Sequence, residues 1–481
     1  MLRVGLTSPT RWPAIGPAPR SHRCGAGNGL LYQRQRQAYR ALQLRPLCLA
    51  LSLVLGCSAS ALAAGAEEPP IASVPETALV QAPIPATGLT VGMLLRGASA
   101  TYPSLRSARL EAQASAQDVV TVERQRWPAL STTLESYSGN TRSTPTRALQ
   151  LEQTLWDFGR IAARIAEAQT AVDVSVIKVY LQQQDLYLQV IAAWQALLGA
   201  QARARAAQET LGRLRDYQAQ MRRRVDAEAS PRIDLELADA RLLQTQVELA
   251  SAQTNQRVAL TRLEQLSGMT NLASYVATLP PIPSLEDTRA FDEQLATMDW
   301  TWIASQHAVV AKARAEVRQT RQRLEAKRAE NLPQVYLRAY QPLGAVDATG
   351  DTSLTTFIGL RYAPGAGFST FAETQAMATR MASSEQAVET AMREMEQTLR
   401  NDREDFENAR LRMAALEQSV VGSERVLASY QRQFQAGRKS WQDLLNAVRE
   451  LAQNQYALAD SQAAMLGAMQ RLQVRTGQEP Q

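Results

Sequence analysis

The feature that most constrains this chain is an internal duplication. Shifted by 209 positions, residues 234–268 fall on 443–477 without a gap: Asp234 meets Asp443, Leu235 meets Leu444, Leu242 meets Leu451, Leu249 meets Leu458, Leu263 meets Leu472 and Gly268 meets Gly477. Shifted by 205, Ala108, Arg109 and Glu111 meet Ala313, Arg314 and Glu316, Gln117 meets Gln322, and Pro128 meets Pro333. Two stretches that match in the same order require two copies of one supersecondary plan.

Each copy reads as the same series of elements. A helix covers 103–126 and again 303–330, ended by Pro128 and Pro333 because proline cannot continue a helix. Two extended stretches follow, 128–138 and 147–157 in the first copy and 333–341 and 353–363 in the second, with turn residues Ser138, Gly139, Asn140 and Pro145, or Gly344 and Gly350, between them. Both pairs alternate with a period of two. Leu149, Leu151 and Leu155 interleave with Gln150, Glu152 and Thr154, while Phe357 blurs the pattern of the second pair. Gly159, and Pro364-Gly365-Ala366-Gly367, then turn the chain into proline-free helices expected at 160–226 and 368–434. Each is about 100 Å long at 1.5 Å per residue. Shorter helices follow at 234–266 and 443–475. In each copy the two short helices laid end to end, about 38 and 48 Å, nearly equal the long one. Leu451, Leu458, Met465 and Leu472 recur every seven residues, which implies left-handed supercoiling. The stripe Val176, Tyr180, Tyr187, Ile191, Trp194 and Leu198 is narrow, and one protomer is not expected to bury it alone.

The amino terminus reads as an export leader. Residues 1–46 hold eight arginines and no acid; an apolar run, Leu47–Leu55, follows, and Ala61-Leu62-Ala63 fits a signal-peptidase site. Val54-Leu55-Gly56-Cys57 also resembles a lipobox, which would make Cys57 a lipidated terminus. The chain has 52 basic and 46 acidic residues; without the eight leader arginines 44 face 46, so the basic balance belongs to the leader and argues for no nucleic acid. All three cysteines, Cys24, Cys48 and Cys57, lie in the same segment. The domain reading is therefore a signal peptide at 1–63, a Pro/Ala-rich tether at 64–90, a first repeat at 91–268, an inter-repeat equatorial linker at 269–302, a second repeat at 303–477 and a tail at 478–481. After cleavage His307 is the one histidine left. With no His/Cys set, no nucleophile motif and no phosphate loop, neither metal, cofactor nor catalysis is expected, and His307 reads as a surface or helix-packing residue.

Three motifs give the chain a family resemblance. Leu149-Gln150-Leu151-Glu152-Gln153-Thr154-Leu155-Trp156-Asp157-Phe158-Gly159-Arg160 resembles a strand running into the long helix of TolC-family outer-membrane factors. The stretches Arg223 to Leu235 and Phe434 to Leu445 resemble that family's hairpin tips. The likeness extends over about 90–478 and is nearest the type I secretion and adhesin-export branch. It implies a mainly α fold with a small β part, a homotrimer sharing one 12-stranded β-barrel in outer-membrane lipid, and a periplasmic α-helical barrel. It also implies a periplasmic adaptor (membrane fusion protein) and an inner-membrane ABC or RND transporter as partners, in type I secretion or in efflux. By motif position Asp443 matches an aspartate ring at the closed periplasmic aperture, and Asp234 with Lys439 matches a pair linking the two hairpins. Asn446 stands where some members carry a second aspartate, so a doubly acidic ring is not carried over. Trp156, Gly159, Gly365 and Gly367 mark the strand-to-helix junctions.

Each residue also has a plainer role. Asp234 and Asp443 precede apolar-periodic helices and suit N-terminal capping. Arg222, Arg223 and Arg224 suit a solvated helix face as well as a partner contact. Trp127, Trp156 and Phe158 fit either an aromatic girdle or ordinary packing at a junction. Heptads alone would also serve a periplasmic coiled-coil scaffold; the strand pairs argue against it.

Overall fold

The computed structural model describes residues 89–136, 145–342 and 353–478. The expected leader at 1–63, nearly all of the 64–90 tether, the loops at Ser138–Asn140 and Gly344–Gly350, and residues 479–481 lie outside them. The first repeat comprises α1 (Val91–Thr101), α2 (Pro103–Glu123), β1 (Ala129–Ser136), β2 (Pro145–Trp156), α3 (Arg160–Asp226) and α4 (Arg232–Ser267). After a connecting helix, α5 (Arg289–Ala296), the second comprises α6 (Trp300–Gln306), α7 (Ala308–Glu330), β3 (Gln334–Pro342), β4 (Thr355–Arg361), α8 (Ser369–Gln435) and α9 (Trp441–Thr476). The 67-residue helices α3 and α8 are offset by 209, and so are α4 and α9. The ends of β2 and β4, Trp156 and Arg361, are offset by 205. The two shifts thus meet at the strand-to-helix junction, where the second repeat carries four extra residues.

One expected element is divided. The helix anticipated over 303–330 breaks at His307, whose backbone is extended (φ −66°, ψ 147°). The break has a cause: the His307 Nδ1 accepts a hydrogen bond from the Val309 N–H at 3.3 Å and caps α7. The ring is buried, and the Gln184 side-chain amide lies 3.1 Å from Nε2. Burial, with Arg475 nearby, holds the imidazole pKa below its ordinary value, which favours the neutral ring that capping requires. His307 therefore packs in the interior rather than at the surface. Tyr102, 205 positions earlier, makes the same extended break between α1 and α2, and Pro103 opens α2.

The helices form one layer. Beside the sheet α3 is flanked by α2 and α7, and α7 in turn meets α8; farther along, α3 is flanked by α4 and α9, and α9 meets α8. Three apolar clusters hold the layer. One gathers Leu94, Leu105, Leu186, Trp194, Leu263 and Leu272 around the middle of α3. A second joins the connecting segment to α8 and α9 through Trp300, Leu399, Phe406 and Leu472. A third lies at the hairpin tips. These contacts revise the expectation that the α3 stripe needs a second chain throughout. Ile191, Trp194 and Leu198 are buried within the protomer, whereas Val176 and Tyr180 stay exposed. Among the described residues no helix is long and apolar enough to cross a membrane.

Both long helices stop in the same way. At the end of α3 the Glu228 N–H donates to the Val225 carbonyl (2.9 Å) and the Ala229 N–H to the Arg224 carbonyl (2.8 Å). At the end of α8 the Gly437 N–H donates to the Phe434 carbonyl (3.0 Å) and the Arg438 N–H to the Gln433 carbonyl (2.8 Å). This is the Schellman arrangement, which puts one residue in the left-handed region. Gly437 (φ +71°) fills that place without cost, but Glu228 (φ +58°) carries a Cβ there. Glu228→Gly is expected to raise the unfolding free energy by about 1 kcal/mol, and Gly437→Ala to lower it by about 1–2 kcal/mol. Denaturant unfolding followed by helix circular dichroism measures both.

Candidate functional site: the sheet and the hairpin tips

The four strands form one antiparallel meander in the order β1-β2-β3-β4. Register sorts its two faces. Leu130 opposes Leu151, Leu337 opposes Ile358, and Val335 opposes Leu360, so these side chains share one face. That face is mainly apolar and uncovered: Leu134 is 70% and Ile358 69% exposed. The other face aligns Gln150 with Tyr340, Glu152 with Arg338, and Arg338 with Phe357. Phe357, which blurred the sequence alternation, lies here with its ring 6.4 Å from that of Tyr336. Uncovered leucines on one face and hydrogen-bonding groups on the other suit lipid outside and water inside.

Two elbows join this sheet to the long helices. In the first, Asp157 uses both carboxylate oxygens, accepting from the Gly159 N–H (3.1 Å) and the Ile161 N–H (2.7 Å). Phe158 (φ +54°) and Gly159 (φ +86°) are consecutive left-handed residues. The second elbow repeats that pair in reversed order, Gly367 (φ +60°) and Phe368 (φ +59°). It also uses Gly365 (φ +77°), and the Pro364 carbonyl accepts from the Thr370 hydroxyl at 2.8 Å. All four junction residues expected from sequence fall at these elbows. Trp156 packs edge-on to Phe158 with ring centroids 6.1 Å apart. Trp127, Trp156, Phe158, Phe368 and Phe371 are all exposed, and the register places them at the helix end of the sheet.

At the far end of the long helices the tips are arranged differently from the sequence expectation. Lys439 does not reach Asp234. Its ammonium lies 3.8 Å from the Asp443 carboxylate in its own hairpin and 4.4 Å from the centroid of the Tyr430 ring. Asp443 is half-buried and closes a capping box: its Oδ2 accepts from the Ser440 hydroxyl (2.8 Å) and the Ser440 N–H (3.3 Å), while its own N–H donates to Ser440 Oγ (3.1 Å). Those bonds from Ser440 hold its carboxyl pKa below the ordinary aspartate value. Asp234 sits in the first turn of α4, where its charge suits the helix dipole, yet its side chain makes no capping bond. Asn446 lies half-buried one turn beyond Asp443. Arg224 lies over the Phe434 ring at 4.9 Å, while Arg222 and Arg223 are exposed.

The link between the hairpins comes from a residue not anticipated. Trp441 is 4% exposed, with its ring 6.2 Å from Tyr217 and 5.3 Å from Phe434. Its Nε1 donates to the Asp234 backbone carbonyl at 2.8 Å. It fastens the α8–α9 hairpin to the α3–α4 hairpin within a cluster that includes Met221, Ala238 and Leu444. The duplication hides it, because the equivalent position in the first repeat is the exposed Arg232.

Trp441→Ala is expected to cost about 3–5 kcal/mol and to speed amide exchange in the first turns of α4 and α9 while the sheet stays protected. A depressed carboxyl pKa contributes stability above the unfolded value and loses it as pH falls through the folded one. The Asp443 contribution should therefore disappear on acidification below the aspartate reference of 3.8. Ser440→Ala should move that titration upward, read from the carboxyl carbon shift of labelled aspartate.

Comparison with known proteins agrees with this geometry. Residues 94–269 match the family model of the outer membrane efflux protein. No curated protein matches in sequence. Among solved structures the fold resembles that of the outer-membrane channel OprN, with a TM-score of 0.70 at 17% identity over 80% of this chain and 89% of that one. The outer membrane protein VceC of Vibrio cholerae gives 0.64 at 17% identity over 81% and 96%. The open-state MtrE outer membrane channel of Neisseria gonorrhoeae gives 0.64 at 16% identity over 81% and 89%. The first repeat thus matches the outer membrane efflux protein family in sequence, and both repeats together share the fold of solved TolC-like outer-membrane channels.

Proposed function

We propose that three copies of this chain close into one exit duct, a 12-stranded barrel in the outer membrane continued by an α-helical barrel in the periplasm. One observation carries the reading. A four-stranded sheet with an uncovered apolar face and two unpaired edges, β1 and β4, stands at the end of helices about 100 Å long. Open edges are not tolerated in lipid, and four strands cannot close on themselves. The helix layer has matching edges. Exposed Leu243, Val247 and Val258 lie on α4, and exposed Leu411, Val421 and Val426 lie on α8. Setting the α8 edge of one copy against the α2–α4 edge of the next is a head-to-tail contact that closes into a ring.

In this reading residues 1–63 are removed on export, and cargo arrives from an inner-membrane ABC or RND transporter through a periplasmic adaptor. The tips form the periplasmic aperture, with Asp443 facing the axis, Trp441 joining the two hairpins and Lys439 pairing within its own. Type I protein secretion and drug efflux share such a duct. Deletion of the gene, scored for both toxin sensitivity and loss of a large surface protein, separates them.

The purified protein is expected to conduct ions in planar bilayers. Trp441→Phe, which removes the bond to Asp234 together with part of the buried ring, should raise that conductance several-fold. Outer-membrane fractionation should recover a trimer; recovery of a soluble monomer would overturn the duct.

A further inference from the structure

The inward face of the sheet carries charges that neither the aperture nor the barrel wall requires. The Glu152 carboxylate lies 2.6 Å from an Arg338 nitrogen and 3.0 Å from an Arg361 nitrogen. Both guanidiniums also stack on one ring: Arg361 lies 4.6 Å and Arg338 5.0 Å from the centroid of Tyr336. Arg338 is further held 5.5 Å from the ring centroid of Phe357. The sheet makes room for this stack at Gly359, where a Cβ would fall 2.5 Å from Tyr336 Cζ and Oη. Two arginines around one glutamate leave an excess positive charge in each protomer, and on β2 the inward neighbours of Glu152 are the uncharged Gln150 and Thr154. The arginines cannot release their protons to relieve this excess. Arg361, with 43% of its side chain exposed, presents the charge to the interior.

We propose that the Glu152–Arg338–Arg361 cluster is a selectivity collar: a fixed cationic ring on the lumenal wall, near the helix end of the barrel, that favours anionic solutes and anionic stretches of cargo. The proposal rests on the duct reading, in which the face bearing the cluster lines the lumen and three copies stand at one level. Rings of charged side chains set ion preference in membrane pores. Stacking on Tyr336 holds the guanidiniums in place, so a passing anion meets groups already positioned for it. A link that served only to fix strand register would need one arginine per carboxylate, not two.

Reversal potentials of the full-length protein in planar bilayers under a KCl gradient test the collar. Arg361→Gln is expected to raise the potassium-to-chloride permeability ratio at least twofold, and Glu152→Gln to lower it by a similar factor. Arg361→Lys keeps the charge and should keep the ratio. Arg289→Gln, an exposed arginine paired with Glu293 on α5, should leave it unchanged. The shifts should grow as salt is lowered, because screening weakens. In detergent, the trisulfonate dye pyranine should bind the wild-type protein at least fivefold more tightly than Arg361→Gln. A conducting protein in which Arg361→Gln and Glu152→Gln both leave the ratio unmoved overturns the collar and leaves the duct standing. Absence of current from every variant overturns the duct, and the collar with it.

Discussion

Both repeats are built against α3. It packs on α2 and α4 along one side and on α7 and α9 along the other, so the two copies meet across this one helix. Its middle supplies Leu186, Ile191, Trp194 and Leu198 to the central cluster, and its end supplies Leu214, Tyr217 and Met221 to the tip cluster. A helix this long has little stability of its own in water and depends on side-chain burial. Burial on both flanks stabilises α3 along its 67 residues. The edge helices α4 and α8 lack that second flank and keep apolar residues uncovered, the two edges that the proposed ring would join.

The sequence was most legible where the backbone needs punctuation. Pro128 and Pro333 bound the strands, Gly268 and Gly477 end the short helices, and both long helices were placed to within a residue. Signals failed where a side chain does work that proline or glycine usually does. His307 breaks a helix by capping the next one through its ring nitrogen, and nothing in its neighbours announces that. Glu228 holds a left-handed position that only its duplicate, Gly437, reveals. Strand pairing was readable from alternation, and the one discordant residue, Phe357, proved to face inward against Tyr336.

The tips show the limit of reasoning by motif. Motif position put Lys439 opposite Asp234, but Asp443, its i,i+4 partner in the same hairpin, is nearer and is held in place by Ser440. Between the hairpins the contact is instead apolar and aromatic. Duplication helped to find the helices yet concealed Trp441, because the two copies differ at the very residue that joins them. A bond between different copies has no reason to appear in both.

The two elbows have a mechanical consequence. Three residues, Asp157–Gly159, join β2 to α3, whereas seven, Tyr362–Phe368, join β4 to α8. The short elbow is clamped by both oxygens of Asp157, the long one by a 3-10 turn and by the Pro364 carbonyl, which accepts from the Thr370 hydroxyl. A lever about 100 Å long that tilts by roughly 5° moves its far end by about 9 Å. Any difference in how the two elbows set their helices is thus magnified at the tips, where α8 carries Phe434 at its end and Lys439 just beyond.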